Sequence, residues 1–589
     1  MKNIIIVEGA SGEAMKKLVV GLVAAGCTAG AFAEFDIAVD LKAKPIKDVR
    51  TSTCGPEIGY AGSVLSVSHS LGSDDFWAVS NRVEMSRAVR ESGAWFERVW
   101  DANGWFARRV PNPHDPNSTD KKEVQRYKTY KQSNPKAVFD FWKDNGIKLL
   151  FTLEAWSGEK SKKEILELVD YIVSNKYESV VAGFELGNES YYAKPEAMDP
   201  LCKTWNEVIP EIKKRMPKVC LGIPVCELFE LNPDLTQVRS RMLAAGEIKR
   251  DTYFAASYFN QTSARMIMNL KPNLDKISHI IYHAYGAETP YSCSYYGFQR
   301  FRNFAAAFPE IKDKKLWLTE IRPRSDEDNR CQRMFRESLV MSHYALMAIC
   351  QPEMDGYNHH QFYQISGGVY FSNGKNWPIQ WRDAGGEYPD FRAPENQPRF
   401  EIGSMGVAYR IYTEAIKTHP LILAHGTSKA ANTEDTFFTS ARVMDEVYAR
   451  RRALKEKRTD WLGRPDIPDV KGETEWVALV SANRGELCLL MVNSKPTEET
   501  VTVRVPGREF AAPTYVTLSC PEKFLDCRDV PGDGKPWQQV SWEDTQFGYD
   551  VVAMEKYEGM KPVCDSLTVT IAPHAIQSVT VMTRNVPKK

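Results

Sequence analysis

Eight short apolar segments recur along the chain at intervals that suit an alternation of strands and helices. The segments cover residues 64–69, 95–99, 147–153, 181–186, 219–225, 277–283, 315–320 and 356–362. A short apolar run bounded by turn residues is typical of a strand that is buried on both faces, as strands are in a parallel sheet. Eight such strands within roughly 300 residues predict a (β/α)8 barrel, or TIM barrel, with insertions in its loops.

Helical patterns fill several of the gaps between these segments. The clearest lies at 161–176, where Ser161 and Glu164 have the spacing of a capping box at the start of a helix. Its apolar stripe consists of Ile165, Leu168, Val169, Ile172 and Val173. Further helices are expected at 331–350 and 406–416. An open doubly wound sheet is the alternative, but no glycine-rich phosphate loop follows the first segment to support it.

The hydrophobic pattern changes after residue 425 to short runs that are separated by turn residues. These runs are 475–480, 487–493, 501–505, 567–571 and 578–582. Short strands at this spacing predict a β-sandwich. Residues 35–41 also alternate, and because they precede the barrel we expect them to add a strand to the sandwich. The predicted organisation is a signal segment at 1–33, a sandwich strand at 34–50, the barrel at 51–418 and a β-sandwich domain at 419–589.

The N-terminus has the pattern of a secretory signal. Two lysines, Lys16 and Lys17, precede an apolar run at 18–25, and small residues at 31 and 33 offer a cleavage site before Glu34. The run is too short and too rich in glycine for a membrane span. We therefore expect an exported protein, periplasmic or extracellular. Lipid attachment at Cys27 is less favoured, because position 24 is alanine where that motif prefers leucine.

Charge and cysteine usage narrow the classes of partner. Lys plus Arg and Asp plus Glu both number 76, so the net charge is zero and gives no support to nucleic-acid binding. None of the twelve cysteines lies in a CxxC or Cys/His cluster with zinc spacing, so we predict neither a metal nor a cofactor. Cys220 and Cys226 flank the fifth segment and are expected to be buried thiols. The sequence does not indicate an oligomeric state.

Two of the apolar segments end in carboxylates. Glu189 comes directly after Gly187 and Asn188 at the end of the fourth segment, and Glu320 ends the seventh. The carboxyl ends of barrel strands meet at one face, where catalytic residues lie. The gap between the two acids fits about three further βα units of roughly 30–40 residues, so we expect them to face each other across one pocket. Paired carboxyl groups suit glycosidic bond cleavage, in which one protonates the leaving oxygen and the other attacks the anomeric carbon or activates water.

The run Phe184-Glu185-Leu186-Gly187-Asn188-Glu189, followed by Glu320 at a later strand end, resembles the clan A glycoside hydrolases. It is most similar to the heparanase and β-glucuronidase family, and more loosely to the β-xylosidase and iduronidase-like family. The resemblance implies a barrel with a β-sandwich, a carbohydrate substrate, and hydrolysis with retention of anomeric configuration. It implies no cofactor.

The resemblance also implies roles for individual residues. Glu189 is the acid/base, Glu320 is the nucleophile, and Asn188 hydrogen-bonds the 2-hydroxyl group of the sugar. Tyr285, which follows the sixth segment, would orient the nucleophile. Arg98, on the second segment, stands where the clan often has a basic residue beside the nucleophile, although a structural ion pair in the barrel is nearly as good an interpretation.

Other candidates follow from their positions at strand ends or rim loops. His283 ends the sixth segment as a site residue or a core histidine, and Glu154 ends the third and could bind a sugar hydroxyl group. Trp156 is a candidate sugar platform, as are Tyr191, Tyr192 and Trp377, although packing at the rim explains them as well. Arg322 begins a basic cluster with Arg324 and Arg330. A solvated loop is the favoured interpretation of that cluster, and the functional alternative is recognition of an acidic or sulfated sugar.

Two other functions remain open at this stage. A transglycosylase would use the same glutamates and transfer the sugar to another sugar instead of water. A non-catalytic carbohydrate-binding barrel would keep the acids without turnover, although two acids at matched strand ends argue against it. The sugar, the linkage, and exo or endo action depend on loops whose shape the sequence does not indicate.

Overall fold

The computed structural model describes residues 4–5, 33–51, 62–65, 82–93, 96–130, 132–225, 258–284, 305, 308–321, 335–359, 364–366, 369–372, 399–402, 404–428, 474–511, 513–520, 552–556 and 563–585. In these residues the strands are β1 (Ile4–Ile5), β2 (Ala33–Ala38), β3 (Lys47–Asp48), β4 (Gly62–Leu65), β5 (Phe96–Val99), β6 (Lys148–Leu153), β7 (Val181–Leu186), β8 (Cys220–Pro224), β9 (His279–Ala284), β10 (Lys315–Ile321), β11 (Met354–His359), β12 (Gln364–Ser366), β13 (Val369–Ser372), β14 (Arg399–Ile402), β15 (Leu421–Thr427), β16 (Thr474–Val480), β17 (Glu486–Asn493), β18 (Glu499–Phe510), β19 (Thr514–Ser519), β20 (Val552–Lys556), β21 (Val563–Ile571) and β22 (Ala575–Asn585).

The α-helices of the described residues are α1 (Arg82–Glu91), α2 (Ala102–Ala107), α3 (Lys121–Thr129), α4 (Pro135–Asp144), α5 (Glu159–Ser174), α6 (Met198–Arg215), α7 (Tyr258–Asn269), α8 (Phe335–Ile349) and α9 (Ser404–Thr418). Short 3-10 helices cover Val49–Thr51, Glu178–Val180, Ser190–Tyr192, Pro195–Ala197, Lys271–Lys276 and Pro309–Ile311. None of the helices in this part of the chain is both long enough and apolar enough to span a membrane.

Strands β4 to β11 form a closed parallel barrel. Each pairs with the next along the chain, and β11 closes the ring on β4 through Asn358 and His359. The predicted eight-stranded barrel is therefore confirmed, and the open doubly wound sheet is excluded. The fourth predicted segment has the same bounds as β7, whereas the first predicted segment shares only residues 64–65 with β4.

A large indole ring lies in the barrel interior, among the apolar side chains of the neighbouring strands. Trp317 of β10 is 1% exposed and stacks on the ring of His279, with ring centroids 3.7 Å apart. Two glycines on neighbouring strands make room for it. A Cβ atom at Gly183 would lie 2.5 Å from Trp317 Cη2, and one at Gly222 would lie 2.7 Å from Ile281 Cδ1 and 3.1 Å from Trp317 Cε3. Protein interiors are packed without spare volume. A larger residue at either position would therefore collide with these side chains.

The C-terminal region forms a mostly antiparallel sandwich, as predicted. One layer runs β20-β19-β22-β17-β16-β15, and the other contains β2, β18 and β21, with β22 pairing into both layers. The N-terminal strand β2 pairs in parallel with β18, where Phe35 lies opposite Val501 and Ile37 opposite Val503. The N-terminal strand therefore completes the second layer. Among the described strands after residue 418, β15, β19 and β20 are additional to the predicted runs.

One hydrophobic cluster joins the barrel to the sandwich, which also has a core of its own. Helices α8 and α9 lie between them, and buried residues of β16, β17 and β22 belong to the same apolar cluster as the barrel helices. A polar contact also joins the two parts. His343 of α8 is buried with its Nδ1 atom 2.9 Å from a carboxylate oxygen of Glu475 on β16, and its Nε2 atom lies 2.6 Å from Ser494 Oγ. The sandwich thus supports the side of the barrel that carries these helices.

Two local predictions were wrong. Helix α5 begins at Glu159 with Gly158 as its N-cap residue, so the capping box at Ser161 does not form. Ser161 instead accepts a hydrogen bond from Ser157 N at 3.1 Å. Cys220, expected as a thiol, is disulfide-bonded. Strand β1 lies inside the predicted signal segment, most of which is outside the described residues, so signal cleavage stays a prediction.

Candidate active site

A tight turn carries the first predicted carboxylate out of strand β7. Gly187 has φ of 108°, and a Cβ atom there would lie 2.4 Å from Ser190 Oγ. Glu189 itself has φ of 47° and ψ of 35°, the left-handed conformation, and precedes the 3-10 helix Ser190–Tyr192. A non-glycine residue in this conformation costs on the order of 1 kcal/mol. The fold holds Glu189 in a strained conformation that projects it at the carboxyl end of the barrel.

The two predicted carboxylates face each other at that end. One carboxylate oxygen of Glu189 and one of Glu320 lie within 4.8 Å of each other. The Glu320 side chain is 10% exposed and that of Glu189 is 25% exposed, so both can meet a ligand from the barrel mouth. Paired carboxyl groups about 5–5.5 Å apart support double displacement at a glycosidic bond, whereas about 6.5–9.5 Å leaves room for a water molecule between them. An oxygen-to-oxygen separation within 4.8 Å is nearer to the first geometry than to the second.

His283 lies between the two acids. Its Nδ1 atom is 3.0 Å from Glu189 Oε1 and 3.5 Å from Glu320 Oε2, and its Nε2 atom is 3.0 Å from Thr319 Oγ1. Tyr191 donates its hydroxyl hydrogen to Glu189 Oε1 at 3.2 Å. Tyr191 is buried and orients the acid, so it does not form the exposed platform that its rim position had suggested.

Arg98 of β5 connects the strand ends. Its guanidinium group donates to Glu185 Oε2 at 2.6 Å, to Asn188 Oδ1 at 2.7 Å, and to Glu320 Oε1. Glu185 also accepts a hydrogen bond from Thr152 Oγ1 at 2.5 Å. The same guanidinium therefore forms a buried ion pair and contacts the predicted nucleophile, and its role in the site stays a prediction. Planar donors in a fixed fork suit such simultaneous contacts.

Burial and charge act in opposite directions on Arg98. Desolvation lowers its pKa, but the charges of Glu185 and Glu320 and their hydrogen bonds raise it, and the net result is a pKa above the ordinary value. The guanidinium therefore remains a fixed positive charge beneath the pocket. Arg98 and Glu185 both have side chains that are 0% exposed, so this charge pair belongs to the floor of the site and not to its lining.

Glu154 directly follows strand β6 and supports the turn that carries Glu189. Its Oε1 atom accepts a hydrogen bond from Asn188 N at 3.1 Å. Asn103 holds its backbone twice, since Asn103 Oδ1 accepts from Glu154 N at 2.7 Å and Asn103 Nδ2 donates to the Glu154 carbonyl at 3.2 Å. Burial raises the pKa of Glu154 to about 7, despite hydrogen bonds from Asn188 and Trp156 that act in the opposite direction. Trp156 is 46% exposed beside it.

Replacing Glu154 with glutamine tests this pKa. The folded-state pKa of about 7 lies above the ordinary value of 4.5, so the folded protein keeps a proton that the unfolded chain releases between these pH values. The contribution of Glu154 to the free energy of unfolding therefore falls as pH rises from 4.5 to 7, by at most about 3 kcal/mol. Glu154→Gln cannot ionise, so its melting temperature relative to wild type should increase between pH 4.5 and pH 8. Glu159→Gln, 83% exposed, controls for removal of a surface carboxylate. If the difference in melting temperature between Glu154→Gln and wild type is the same at both pH values, the pKa of Glu154 is not raised.

The structure brings six of the nine predicted site residues together. Glu154 joins this group through its hydrogen bond from Asn188 N. The other five are linked to one another by the contacts described above, and they are Arg98, Asn188, Glu189, His283 and Glu320. Trp156 lies next to Glu154, while Tyr285 and Arg322 are outside the described residues. Sequence reasoning did not select Glu185, Thr152, Thr319 or Asn103. The alternation of β6, β7 and β10 could have indicated the first three, because they point to the barrel interior.

The donor atoms of Glu189, His283 and Glu320 are also close enough together to hold a divalent cation. Imidazole and carboxylate ligands suit zinc. A cation bound there would occupy both carboxylates that the paired-acid chemistry needs. The expectation of a site that works without metal stays a prediction.

Solved structures share this architecture. The α-L-arabinofuranosidase of Thermotoga maritima, solved with arabinose, aligns with a TM-score of 0.53 at 13% identity, over 93% of this chain and 100% of that chain. The GH51 α-L-arabinofuranosidase of Thermotoga petrophila RKU-1 aligns with a TM-score of 0.53 at 12% identity, over 93% and 99%. A family 51 α-L-arabinofuranosidase of Bifidobacterium longum gives 0.51 at 11% identity, over 92% and 99%.

The chain shares their fold. The alignments cover both barrel and sandwich, so the whole two-part architecture is common to these proteins. At such low identities the likeness extends to the fold alone. No protein-family model matches the sequence, and neither does any curated protein.

Proposed function

We propose that this protein is a clan A glycoside hydrolase that cleaves an oligo- or polysaccharide with retention of configuration. The observation that carries the proposal is the short separation of Glu189 and Glu320, within 4.8 Å at the carboxyl end of a closed barrel. A contact from Arg98 to Glu320 and the turn at Asn188 supply the setting that double displacement requires. The fold shared with α-L-arabinofuranosidases supports the same class of activity.

The reaction proceeds in two displacements. In the first, a Glu320 oxygen attacks the anomeric carbon while Glu189 gives its proton to the glycosidic oxygen, and the bond to the leaving group breaks. In the second, Glu189 takes a proton from water, the water oxygen attacks the anomeric carbon, and the ester bond to Glu320 breaks. Both side chains return to their starting states, and configuration is retained because it is inverted twice.

Neighbouring side chains prepare the two acids for these roles. Asn188 Oδ1 already accepts a hydrogen bond from Arg98, which leaves the amide hydrogens of Asn188 to donate to the sugar 2-hydroxyl group. Tyr191 and His283 hold Glu189 in place, and Arg98 holds Glu320. Orientation of this kind lowers the barrier because the reacting atoms are positioned before the chemical step. Trp156 provides an exposed face on which a sugar ring stacks.

The stereochemical course of hydrolysis tests the proposal. A panel of aryl glycosides, including α-L-arabinofuranosides, β-xylosides and β-glucuronides, identifies a substrate of the wild type. Proton NMR of the first-formed product should then show the anomeric configuration of the substrate. Inverted product would rule out double displacement between these carboxylates. Added acceptor sugars distinguish hydrolysis from transglycosylation, because only a transglycosylase forms mainly the new glycoside.

The substrate in this proposal is an acidic glycan, carrying uronic acid or sulfate. The support is the basic sequence Arg322, Arg324 and Arg330 that follows the nucleophile, together with the heparanase-like run at 184–189. Arg322→Ala with Arg324→Ala should reduce hydrolysis of a uronoside more than that of the matching neutral glycoside. If the double substitution changes the hydrolysis of the uronoside and of the neutral glycoside by the same factor, the proposal of an acidic substrate fails. The proposal of a glycosidase would remain.

The proposal includes export from the cytoplasm. It is supported by the signal pattern before residue 34 and by the disulfide at Cys220, since disulfides persist mainly in oxidising compartments. Mass spectrometry of the protein recovered outside the cytoplasm should give an N-terminus at Glu34. Recovery of the uncleaved chain from the cytoplasm alone would contradict export.

A further inference from the structure

We propose that Glu185 is a positioning residue that serves as the counter-ion of Arg98 while Glu320 is covalently bound to the sugar. The inference rests on the proposed double displacement. It concerns a residue that touches neither the substrate nor the reacting atoms, because the Glu185 side chain is 0% exposed on strand β7. Glu185 acts through Arg98, and its effect falls on one chemical step more than on the other.

The geometry places one cation between two acids. Arg98 donates through Nε to Glu185 at 2.6 Å and through a terminal nitrogen to Glu320. Thr152 donates to the same Glu185 oxygen that faces Arg98, at 2.5 Å, and so holds the carboxylate toward the guanidinium. The third acceptor of Arg98, Asn188 Oδ1, is a neutral amide and cannot balance its charge.

The charge count changes during the reaction. Before attack, Arg98 faces two carboxylates, and after attack Glu320 is a neutral ester, so Glu185 alone faces the guanidinium. A buried charge that loses its partner is costly, because desolvation is no longer offset. With Glu185 in place the covalent intermediate still contains a paired Arg98. If the charge of Glu185 were removed, the buried Arg98 would face only neutral groups at positions 185 and 320 in the intermediate.

Other titratable groups at the mouth do not replace Glu185. Glu189 contacts His283, whose Nδ1 atom lies 3.5 Å from Glu320 Oε2, the oxygen that does not accept from Arg98. Glu154 faces the backbone of Asn188, and burial raises its pKa to about 7, so near neutral pH it carries only part of a charge. Of these groups, Glu185 is the one held directly against Arg98 through both the covalent and the free state.

The two displacement steps should therefore respond in opposite directions to Glu185→Gln. The glutamine keeps the size of the side chain and removes its charge, so forming the intermediate becomes harder and its breakdown becomes easier. With a 2-deoxy-2-fluoro aryl glycoside of the sugar that wild type cleaves, we expect inactivation to slow by at least about tenfold, equivalent to one pKa unit of lost interaction. Reactivation of the trapped enzyme should become faster. A fall of both rate constants by a similar factor would overturn the inference.

Two variants serve as controls for a merely structural effect. Thr152→Val removes the hydrogen bond to Glu185 but keeps both charges, so any loss of activity should affect inactivation and reactivation alike. Glu185→Asp keeps the charge on a shorter side chain and should restore the wild-type ratio of the two rate constants. If Glu185→Asp behaves like Glu185→Gln, the charge is not what matters and the inference fails.

A thermal unfolding cycle tests the same charge count without any substrate. Glu320→Gln imitates the uncharged ester, so the double variant Glu185→Gln/Glu320→Gln leaves Arg98 facing amides only. We expect its melting temperature to fall by more than the sum of the two single variants. Additive shifts overturn the inference whatever the activity. So does a Glu185→Gln protein that does not fold, since Glu320 still faces Arg98 in that variant.

The outcomes separate this inference from the proposed function. A wild type that cleaves neither an aryl glycoside of the panel nor an oligo- or polysaccharide built from the same sugars overturns the proposed function and removes the intermediate on which the role of Glu185 depends. If wild type cleaves with retention but the melting-temperature changes of Glu185→Gln and Glu320→Gln are additive, only the counter-ion role of Glu185 is overturned.

Discussion

Replacing Glu320 with alanine should abolish hydrolysis of an aryl glycoside, with a loss of kcat on the order of 10⁴-fold or more, because the proposed covalent bond forms through the Glu320 carboxylate. The variant should still fold, since Glu320 lies near the carboxyl end of β10 and does not belong to the apolar core. The measurement is turnover of the substrate identified from the panel, with circular dichroism to confirm the fold.

Azide should then separate the two acids by the configuration of the product. In Glu320→Ala the anion enters the space of the missing carboxylate and displaces the leaving group once, so a β-glycoside yields an α-glycosyl azide. In Glu189→Ala the glycosyl-enzyme still forms, and azide replaces water in the second step, so a β-glycosyl azide results. Glu189→Ala is thus the matched control. Full activity of either variant would show that the pocket lies elsewhere.

Replacing Arg98 with methionine should produce the largest loss of stability. The substitution keeps an unbranched apolar side chain but leaves Glu185 and Glu320 close together in a buried site without their shared cation. Removing one partner of a buried charge pair costs about 3–5 kcal/mol, because the remaining charge stays desolvated. Activity should fall as well, since Glu320 and Asn188 lose the group that holds them. Urea unfolding at pH 7 measures the change.

The pH dependence of the Arg98→Met variant distinguishes lost charge from lost packing. In that variant a proton can neutralise a carboxylate that no longer has a cation, so its folded state binds protons more tightly than its unfolded state. Its deficit relative to wild type should therefore shrink from pH 7 to pH 5. The matched control is Arg87→Met on α1, where a 49% exposed side chain pairs with Glu91 at 2.8 Å, and about 0–1 kcal/mol is expected. If the loss of stability of Arg98→Met relative to wild type does not change with pH, lost packing and not lost charge explains it.

The barrel and the facing acids were accessible from local patterns. Each barrel strand has its own apolar run, and helical patterns fill several of the gaps between these runs, so eight units could be counted without knowing how they pair. The position of Glu189 after β7 and of Glu320 in β10 then followed, because parallel strands present their carboxyl ends on one face. Local pattern was less successful where one turn decided the outcome, as at the start of α5, where Gly158 replaced the expected cap at Ser161.

The contacts inside the barrel were not accessible in this way. Arg98 meets Glu185 and Glu320 across sequence separations of 87 and 222 residues, and neither separation leaves a periodic signal. A glutamate inside an apolar run could equally have paired with a lysine at the barrel rim. The same applies to Glu154, whose pKa of about 7 results from burial that depends on how β6 and the turn after β7 meet.

The sequence by itself determined the order of the strands, the division into barrel and sandwich, and which ends of which strands carry acids, because these depend on periodicity and on chain direction. The tertiary structure decided which charge faces which, how far apart Glu189 and Glu320 lie, and that Gly183 and Gly222 leave room for Trp317. The physical reason is that electrostatic pairing and close packing depend on distances between residues far apart in sequence, and only closure of the barrel sets those distances.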